Sequence, residues 1–432
     1  MVNLPEDFVR ETRLVMGEER FNRFLGAFDE EAPTSIRVNP KYALAVGERE
    51  RVAWCEEGYY LEGRPQFTFD PLFHAGCYYV QEASSMFITH VLRTLTIPEQ
   101  SSPARTCSLC LQRTRSLSHL SSLNCLDLCA APGGKSTAMR TVLPEGSTLV
   151  SNEPIGNRAQ ILLENITKWG WPDCIVTNNY PRDFRKAKAK FDVILCDVPC
   201  SGEGMFRKDP ATISEWSLQN VEKCWRLQRE IVADAWECLN PGGLLIYSTC
   251  TFNTKENEEN VRWILDTYEA EALEIPIEPE WNITGSLVSG FDAPVYRFIP
   301  GITRGEGLFL CALRKQSGEK LEARSERFDE RKMKGLSILS PLTSRSALPL
   351  GSSKNLSPLK IDVSYADALK YLRGEALVLP PDTPKGMVNI CYKGFALGPA
   401  KNIGNRANNL YPKPWRIKTT HLPSAAPEIL KL

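Results

Sequence analysis

Two cysteines, Cys200 and Cys250, stand where chemistry is more useful than packing. Phe191-Asp192-Val193-Ile194-Leu195-Cys196-Asp197 runs into Val198-Pro199-Cys200-Ser201-Gly202, and Gly243-Leu244-Leu245-Ile246-Tyr247 runs into Ser248-Thr249-Cys250-Thr251-Phe252. Both apolar runs read as strands. If they are parallel neighbours, both thiols sit on the carboxyl rim of the sheet, where ligands bind in such folds. A thiolate is a strong nucleophile. Carbon 5 of a cytosine becomes nucleophilic only after a group adds at carbon 6, so methylation there calls for such an attacker. A second thiol on the same rim could assist loss of the carbon-5 proton and expulsion of the first. Buried small hydrophobe is the ordinary reading of a cysteine, and it holds for Cys129 and Cys196 inside strand-like runs.

A second constellation lies upstream. Leu126-Asp127-Leu128-Cys129-Ala130-Ala131-Pro132-Gly133-Gly134-Lys135-Ser136-Thr137 reads as a strand, a small-residue turn and a helix start. Backbone amides at such a turn suit an anion or a carboxylate. The spacing is neither G-x-G-x-x-G nor the phosphate loop G-x-x-x-x-G-K-[ST]. The next strand ends at Glu153, about 20 residues beyond the turn, where an acid can accept the hydroxyls of a ribose. A surface glutamate is the plain alternative, but the order of strand, turn, helix, strand and acid favours a nucleoside site.

The elements that must position these groups follow from hydrophobic patterning. Apolar runs at Cys125 to Cys129, Thr148 to Asn152, Cys174 to Asn178, Phe191 to Asp197, Leu244 to Ser248 and Leu308 to Leu313 alternate with helical stretches, which predicts an α/β fold with a mostly parallel sheet and helices on both faces. After Cys250, Asn253 and Glu256 stand at capping-box spacing, with Glu258 and Glu259 in the first turn of a helix. Before the core, Phe8, Leu14, Val15, Phe21, Phe24 and Leu25 form an amphipathic helical stretch, followed by extended Ser35-Ile36-Arg37-Val38-Asn39-Pro40. Thr96 to Leu123 is serine-rich and polar and reads as an exposed insertion, and residues 316–360 read as a linker.

The 432 residues carry 52 lysines and arginines against 52 aspartates and glutamates, so net charge points to no nucleic-acid partner. No apolar run approaches the roughly 20 residues of a membrane span, and no secretory leader is evident. Fourteen cysteines, several in apolar strands, fit reduced thiols and a cytoplasmic setting better than disulfides. Cys107-x-x-Cys110, with His119 nearby, is a single pair and a weak zinc signal, so no metal is expected.

The strings from Asp127 (DLCAAPGGKST), Asp197 (DVPCSGEGMFRKD) and Ser248 (STCTFNTKENEEN) closely resemble the Nol/Nop/Sun family of RNA cytosine-5 methyltransferases, in the right order. The resemblance extends to Ser35–Pro40 and to Tyr79-Val80-Gln81-Glu82-Ala83-Ser84-Ser85-Met86, and points to the bacterial F-type branch acting on small-subunit ribosomal RNA. It implies a Rossmann-like core that binds S-adenosylmethionine through Cys129, Ala130, Ala131, Pro132, Gly133, Gly134 and Lys135 and through Glu153, with Arg158 in the same set. Cys250 would attack carbon 6, Cys200 would serve release, and Asp197 would contact the methionine end of the cofactor or the base. Pro199 and Lys208 would shape the base pocket. Where the family usually places an adenine-contacting acid, this chain has Tyr180, so either Asn178 or Asn179 would supply that contact or cofactor affinity would be reduced.

Composition, patterning and the resemblance together give a domain plan: an N-terminal α/β RNA-binding module (1–95), the insertion (96–123), which departs from the family, the catalytic domain (124–315), the linker (316–360) and a C-terminal α+β RNA-binding domain (361–432). The protein is expected to be monomeric. From Lys385 to Lys418 there are seven basic residues and no acid, interleaved with Tyr392, Phe395, Tyr411 and Trp415, the footprint expected of RNA binding. A solvated basic face on a stabilising appendage is the competing reading. Two rivals to the whole assignment stay open. A DNA-type enzyme would use Cys200 as nucleophile and leave the Cys250 motif without a role, and a non-catalytic assembly factor would bind cofactor and RNA only.

Overall fold

The computed structural model describes residues 2–96, 122–316, 333–340, 359–419 and 421–431. The Cys107/Cys110 pair, His119 and much of the insertion and linker lie outside the described residues.

The N-terminal module opens with two helices, α1 (Glu6–Met16) and α2 (Glu18–Gly26), where the sequence suggested one amphipathic stretch. Gly17 divides them: its φ of 73° is a backbone conformation that glycine adopts without a steric penalty. Three antiparallel strands follow, β1 (Thr34–Val38), β2 (Gly58–Leu61) and β3 (Tyr78–Val80), in the order β2-β1-β3, with a short helix α3 (Pro71–His74) between the last two. Helix α4 (Phe87–Thr96) then leaves this module and packs Phe87, Val91, Leu92 and Leu95 onto the main sheet.

The core alternates as patterning predicts: β4 (Asn124–Asp127), α5 (Gly134–Val142), β5 (Thr148–Asn152), α6 (Gly156–Trp169), β6 (Cys174–Thr177), α7 (Pro181–Lys186), β7 (Phe191–Asp197), α8 (Ala211–Glu215), α9 (Leu218–Cys238), β8 (Leu239–Thr249), α10 (Glu258–Thr267), β9 (Ala270–Ala272), β10 (Tyr296–Phe298) and β11 (Leu308–Lys315). Strands β6-β5-β4-β7-β8 are mutually parallel. The expectation of a mostly parallel sheet needs correction at both edges, because β11, β10 and β9 add antiparallel beyond β8 and β12 (Ile338–Ser340) adds antiparallel to β6. Leu308 to Leu313 is apolar because β11 is covered on both faces, a pattern that carries no information on direction. Residues 333–340, part of the stretch read as linker, thus supply an edge strand and bury Met333 in the core.

Alternation along the strands splits the core in two. Cys125, Leu149, Val193, Leu195, Leu244 and Ile246 face α4 and α5, while Leu126, Val150, Ile194, Cys196, Leu245 and Tyr247 face α7, α9 and α10. Each such fully withdrawn aliphatic side chain stabilises by about 1.5–3 kcal/mol. From β4 the chain winds first to β5 and β6, then crosses to β7 and β8 on the other side. The carboxyl ends of β4 and β7 therefore flank the crevice where sheets of this kind take their ligands.

The C-terminal domain is β13 (Leu359–Asp362), α11 (Tyr365–Arg373), β14 (Gly386–Tyr392), β15 (Phe395–Asn402) and β16 (Ala407–Asn409), in the order β13-β14-β15-β16. It shares one core with the N-terminal module: Ile36, Leu72 and Tyr78 pack with Leu369, Tyr371, Ile390 and Tyr411.

Candidate active site

Cys200 and Cys250, fifty residues apart in sequence, approach to 3.1 Å between sulfurs. Parallel pairing of Asp197 with Ser248 in β7 and β8 sets this distance, since Cys200 lies three residues and Cys250 two residues beyond that pair. The Cys250 amide also donates to Cys200 Sγ at 3.3 Å. Cys200 is held well above the usual thiol range, first by its hydrogen bond to Cys250 and then by burial, with the Cys250 amide opposing weakly.

Beside the thiols, Lys135 Nζ donates to Asp197 Oδ2 at 2.9 Å, and Ser248 Oγ donates to Oδ1 at 2.8 Å. Burial lowers the Lys135 ammonium pKa, but Asp197 more than offsets it and the net shift is upward. Lys135 is also within electrostatic reach of Cys250. The turn before it is firmly built. Ala130 N–H donates to Asn152 O at 2.7 Å, Arg158 donates to Ala131 O at 3.1 Å, and Asn165 donates to Pro132 O at 2.8 Å. Gly133 sits at φ 118°, and a Cβ there would lie 3.2 Å from Leu162. Cys129, partly buried next to Asp127, has its thiol pushed upward by burial.

Two acceptor oxygens at this rim are buried without a hydrogen-bond partner, Asp127 Oδ1 and Glu153 Oε2. Asp127 is the last residue of β4. Its Oδ2 accepts from Ser136 at 2.6 Å, and burial pushes its carboxyl up to about 7. Glu153 follows β5. Its Oε1 accepts from the Ile155 amide at 3.0 Å, while Oε2 has only Arg158 at 3.5 Å. A bound nucleoside cofactor with ribose hydroxyls and a cationic amino acid end would satisfy both oxygens, so these residues fit S-adenosylmethionine. Asp127 was not singled out by sequence reasoning, although its position at a strand end followed by the turn could have marked it.

The remaining expected residues are placed less centrally. Asn178 Nδ2 is committed to Glu153 O at 2.7 Å, and Asn179 pairs in both directions with the Ser337 backbone. Tyr180 precedes α7 with 56% of its surface exposed. Lys208 and Pro199 are exposed on the loop carrying Cys200. The expected helix cap after Cys250 also differs: Asn253 and Glu256 do bond reciprocally, at 2.9 and 2.8 Å, but within a turn, and α10 begins only at Glu258.

Sequence reasoning missed Arg37 altogether. Buried in β1, its guanidinium donates to Gln81, Thr137, Thr141 and the Gly134 carbonyl and lies 4.4 Å over the Trp169 ring. Burial lowers its pKa to about 10. It clamps the first turn of α5 from outside the catalytic core. The interleaving of basic and aromatic residues in the C-terminal domain also needs correction. Lys385, Lys393, Lys401, Arg406, Lys413 and Lys418 are exposed, but Tyr392 and Tyr411 are buried in the core shared with the N-terminal module. The spacing that suggested stacking platforms arises instead from packing.

Among the described residues no helix is long and apolar enough to cross a membrane, and no group of three potential metal ligands occurs.

With the site in view, the chain can be compared with known proteins. Family models described as 16S rRNA methyltransferase RsmB/F, the N-terminal domain of 16S rRNA methyltransferase RsmF and the methyltransferase RsmF PUA domain match residues 117–314, 4–83 and 358–417. Ribosomal RNA small subunit methyltransferase F of Serratia proteamaculans is 32% identical over 330 residues, covering 73% of this chain and 64% of that protein. Its namesake from Pectobacterium carotovorum is 32% identical over 329 residues, covering 72% and 63%. The chain thus spans just under two thirds of the length of these relatives. Two solved structures share the fold at a TM-score of 0.55: a methyltransferase homolog protein from Pyrococcus horikoshii, 24% identical over 72% of this chain and 100% of that one, and NSun6 from the same organism with SFG, 20% identical over 72% and 98%.

Proposed function

This chain belongs to the RsmB/F methyltransferase family, and from that premise we propose that it methylates carbon 5 of a cytosine in small-subunit ribosomal RNA, with Cys250 as nucleophile and Cys200 assisting release. S-adenosylmethionine, when bound, supplies the electrophilic methyl group. The observation that supports the reading is the thiol pair itself, 3.1 Å apart beyond the ends of β7 and β8, with Cys250 within electrostatic reach of Lys135.

The chemistry then follows from the positions of the side chains. Cys250 Sγ bonds to carbon 6 of the ring, which makes carbon 5 nucleophilic towards the methyl group. The carbon-5 hydrogen leaves as a proton and the carbon–sulfur bond breaks, returning the Cys250 thiolate. Cys200, in contact with that sulfur, is placed to serve this second half. Asp197, fixed by Lys135 and Ser248, faces the same rim and orients the base or the cofactor. Asp127 and Glu153 hold the cofactor through their unpaired oxygens. The DNA-type reading, with Cys200 attacking, would leave Cys250 without a role.

The exposed basic residues of the C-terminal domain would bind the RNA backbone. Only a base freed from stacking can reach the thiols, so an unpaired or extruded cytosine is the substrate. Mapping 5-methylcytosine in small-subunit ribosomal RNA from cells with and without this protein tests the reading. One cytosine should lose its methyl group in the deletion, and an unchanged map would refute the proposal.

A further inference from the structure

Glu203 lies in the loop after Cys200 and is almost wholly buried. Its Oε2 accepts from the amides of Phe252 and Asn253, at 2.6 and 3.0 Å, in the loop after Cys250. Its Oε1 accepts from Trp216 Nε1 at 2.9 Å, from Asn253 Nδ2 at 3.0 Å and from Ser201 Oγ at 3.4 Å. One carboxylate on the Cys200 loop thus captures two consecutive amides of the Cys250 loop.

The same junction holds three further ties. Gly204 N–H donates to Cys250 O at 2.8 Å. Ser201 Oγ meets Thr251 Oγ1 at 2.9 Å. Glu256, beyond Cys250, accepts from the Ser201 amide at 3.0 Å, so each loop sends a buried glutamate into the other. Glu256 also accepts on both oxygens, from Asn253 Nδ2, the Ser201 amide and Gln228, but only Glu203 takes two consecutive amides of the facing loop. We propose that Glu203 is the positioning residue that sets the separation of the two thiols, and so matches the nucleophile to its release partner. The proposal rests on the two-thiol reading of the site, but its geometry can be tested without methyl transfer.

A carboxamide cannot replace this carboxylate. In either orientation, Glu203→Gln turns an N–H towards two of the donors and leaves buried groups facing each other without an acceptor. The loops should part, and with them the sulfurs.

The test uses the full chain and its Glu203→Gln, Glu203→Asp and Asn253→Ala variants. Diamide removes two electrons and two protons from a thiol pair, forming a disulfide as the diazene is reduced to a hydrazine. Peptide mass mapping then gives the rate at which Cys200 and Cys250 join. Glu203→Gln should slow this at least tenfold, and the pH at which iodoacetamide alkylates Cys200 should fall, because the bond to Cys250 no longer holds the proton. S-adenosylhomocysteine affinity should stay within twofold, since Lys135, Asp127 and Glu153 are untouched. Glu203→Asp, which keeps the acceptor, should recover part of the joining rate. Should Glu203→Gln fail to fold, Asn253→Ala, which removes one donor and keeps the backbone amides, should slow joining by a smaller factor. Wild-type joining and alkylation profiles in Glu203→Gln, or in Asn253→Ala where that variant is needed, would overturn the proposal. A wild-type protein that joins its thiols but never methylates cytosine would sink the function proposed above and leave the role of Glu203 standing.

Discussion

Lys135 and Asp197 meet across the switch point of the sheet, with Nζ 2.9 Å from Oδ2, so the turn after β4 and the end of β7 are fastened to each other. The cofactor side and the thiol side of the rim therefore form one electrostatic unit.

Removing the cation from that unit should be felt on both sides. Lys135→Met should weaken S-adenosylmethionine binding about tenfold, equivalent to about 1.4 kcal/mol, and slow adduct formation at Cys250. Calorimetry and RNA trapping read the two effects, and unchanged cofactor affinity would detach Lys135 from the cofactor site.

The two thiols should separate by phenotype. Cys250→Ser should abolish both methylation and any covalent RNA complex, because a hydroxyl is a much weaker nucleophile near neutral pH. Cys200→Ala should permit attack and stall afterwards, leaving a protein–RNA band that survives denaturing electrophoresis. A band that persists in the first variant and vanishes in the second would reverse the roles.

Asp127 should make the ligand-free protein less stable as pH rises. Its carboxyl titrates near 3.8 when unfolded and about 7 when folded, so between those values the native state binds the extra proton. Its stabilising contribution is complete below about pH 4 and is lost as pH climbs through 7, a change on the order of a few kcal/mol. Urea unfolding from pH 5 to 8 should show a shallower decline for Asp127→Asn than for the wild type. Glu256 and Glu306, also raised to about 7 by burial, and Asp70, raised to about 6, add slope of the same sign. Parallel curves for wild type and variant would remove Asp127 from this linkage.

Arg37→Met should cost roughly 3 kcal/mol or more, since it strips the donors from Gln81, Thr137, Thr141 and the Gly134 carbonyl inside a closed core. Because Gly134 and Thr137 belong to the first turn of α5, cofactor affinity should fall as well. A shift of the urea midpoint with wild-type cofactor binding would confine Arg37 to stability.

RNA binding by the C-terminal domain is best probed by charge reversal. Deleting the domain would bare the apolar faces of Ile36, Leu72 and Tyr78 and destabilise the N-terminal module. Reversing Lys385, Lys401 and Arg406 to glutamate should weaken RNA binding at least tenfold and flatten its salt dependence, with thermal stability kept. Equal affinity would leave this basic face a solvated surface.

The apolar runs marked each core strand to within a few residues, and the proline and small-residue contexts of Cys200 and Cys250 marked the thiols, because both signals are local. Arg37, Glu203 and Asp127 were not legible in the same way. Arg37 owes its role to Thr137, a hundred residues on, and Glu203 owes its role to backbone amides about fifty residues on. Such partners leave no periodic trace in sequence. Tyr392 and Tyr411 misled for the converse reason: a tyrosine beside a lysine looks alike whether its ring faces solvent or a neighbouring module.

The core shared by the two ends of the chain bears on the order of events during synthesis. Arg49 donates to the backbone of Glu428, 379 residues later, and the Lys431 amide donates to Ala45. Ile36, Leu72 and Tyr78 leave the ribosome long before the strands of residues 359–409 that cover them. Contacts of such separation close slowly. Nascent chains should therefore expose this apolar face until the C-terminal domain is made, which makes it the natural target for a chaperone and a product truncated before that domain the natural substrate for a protease.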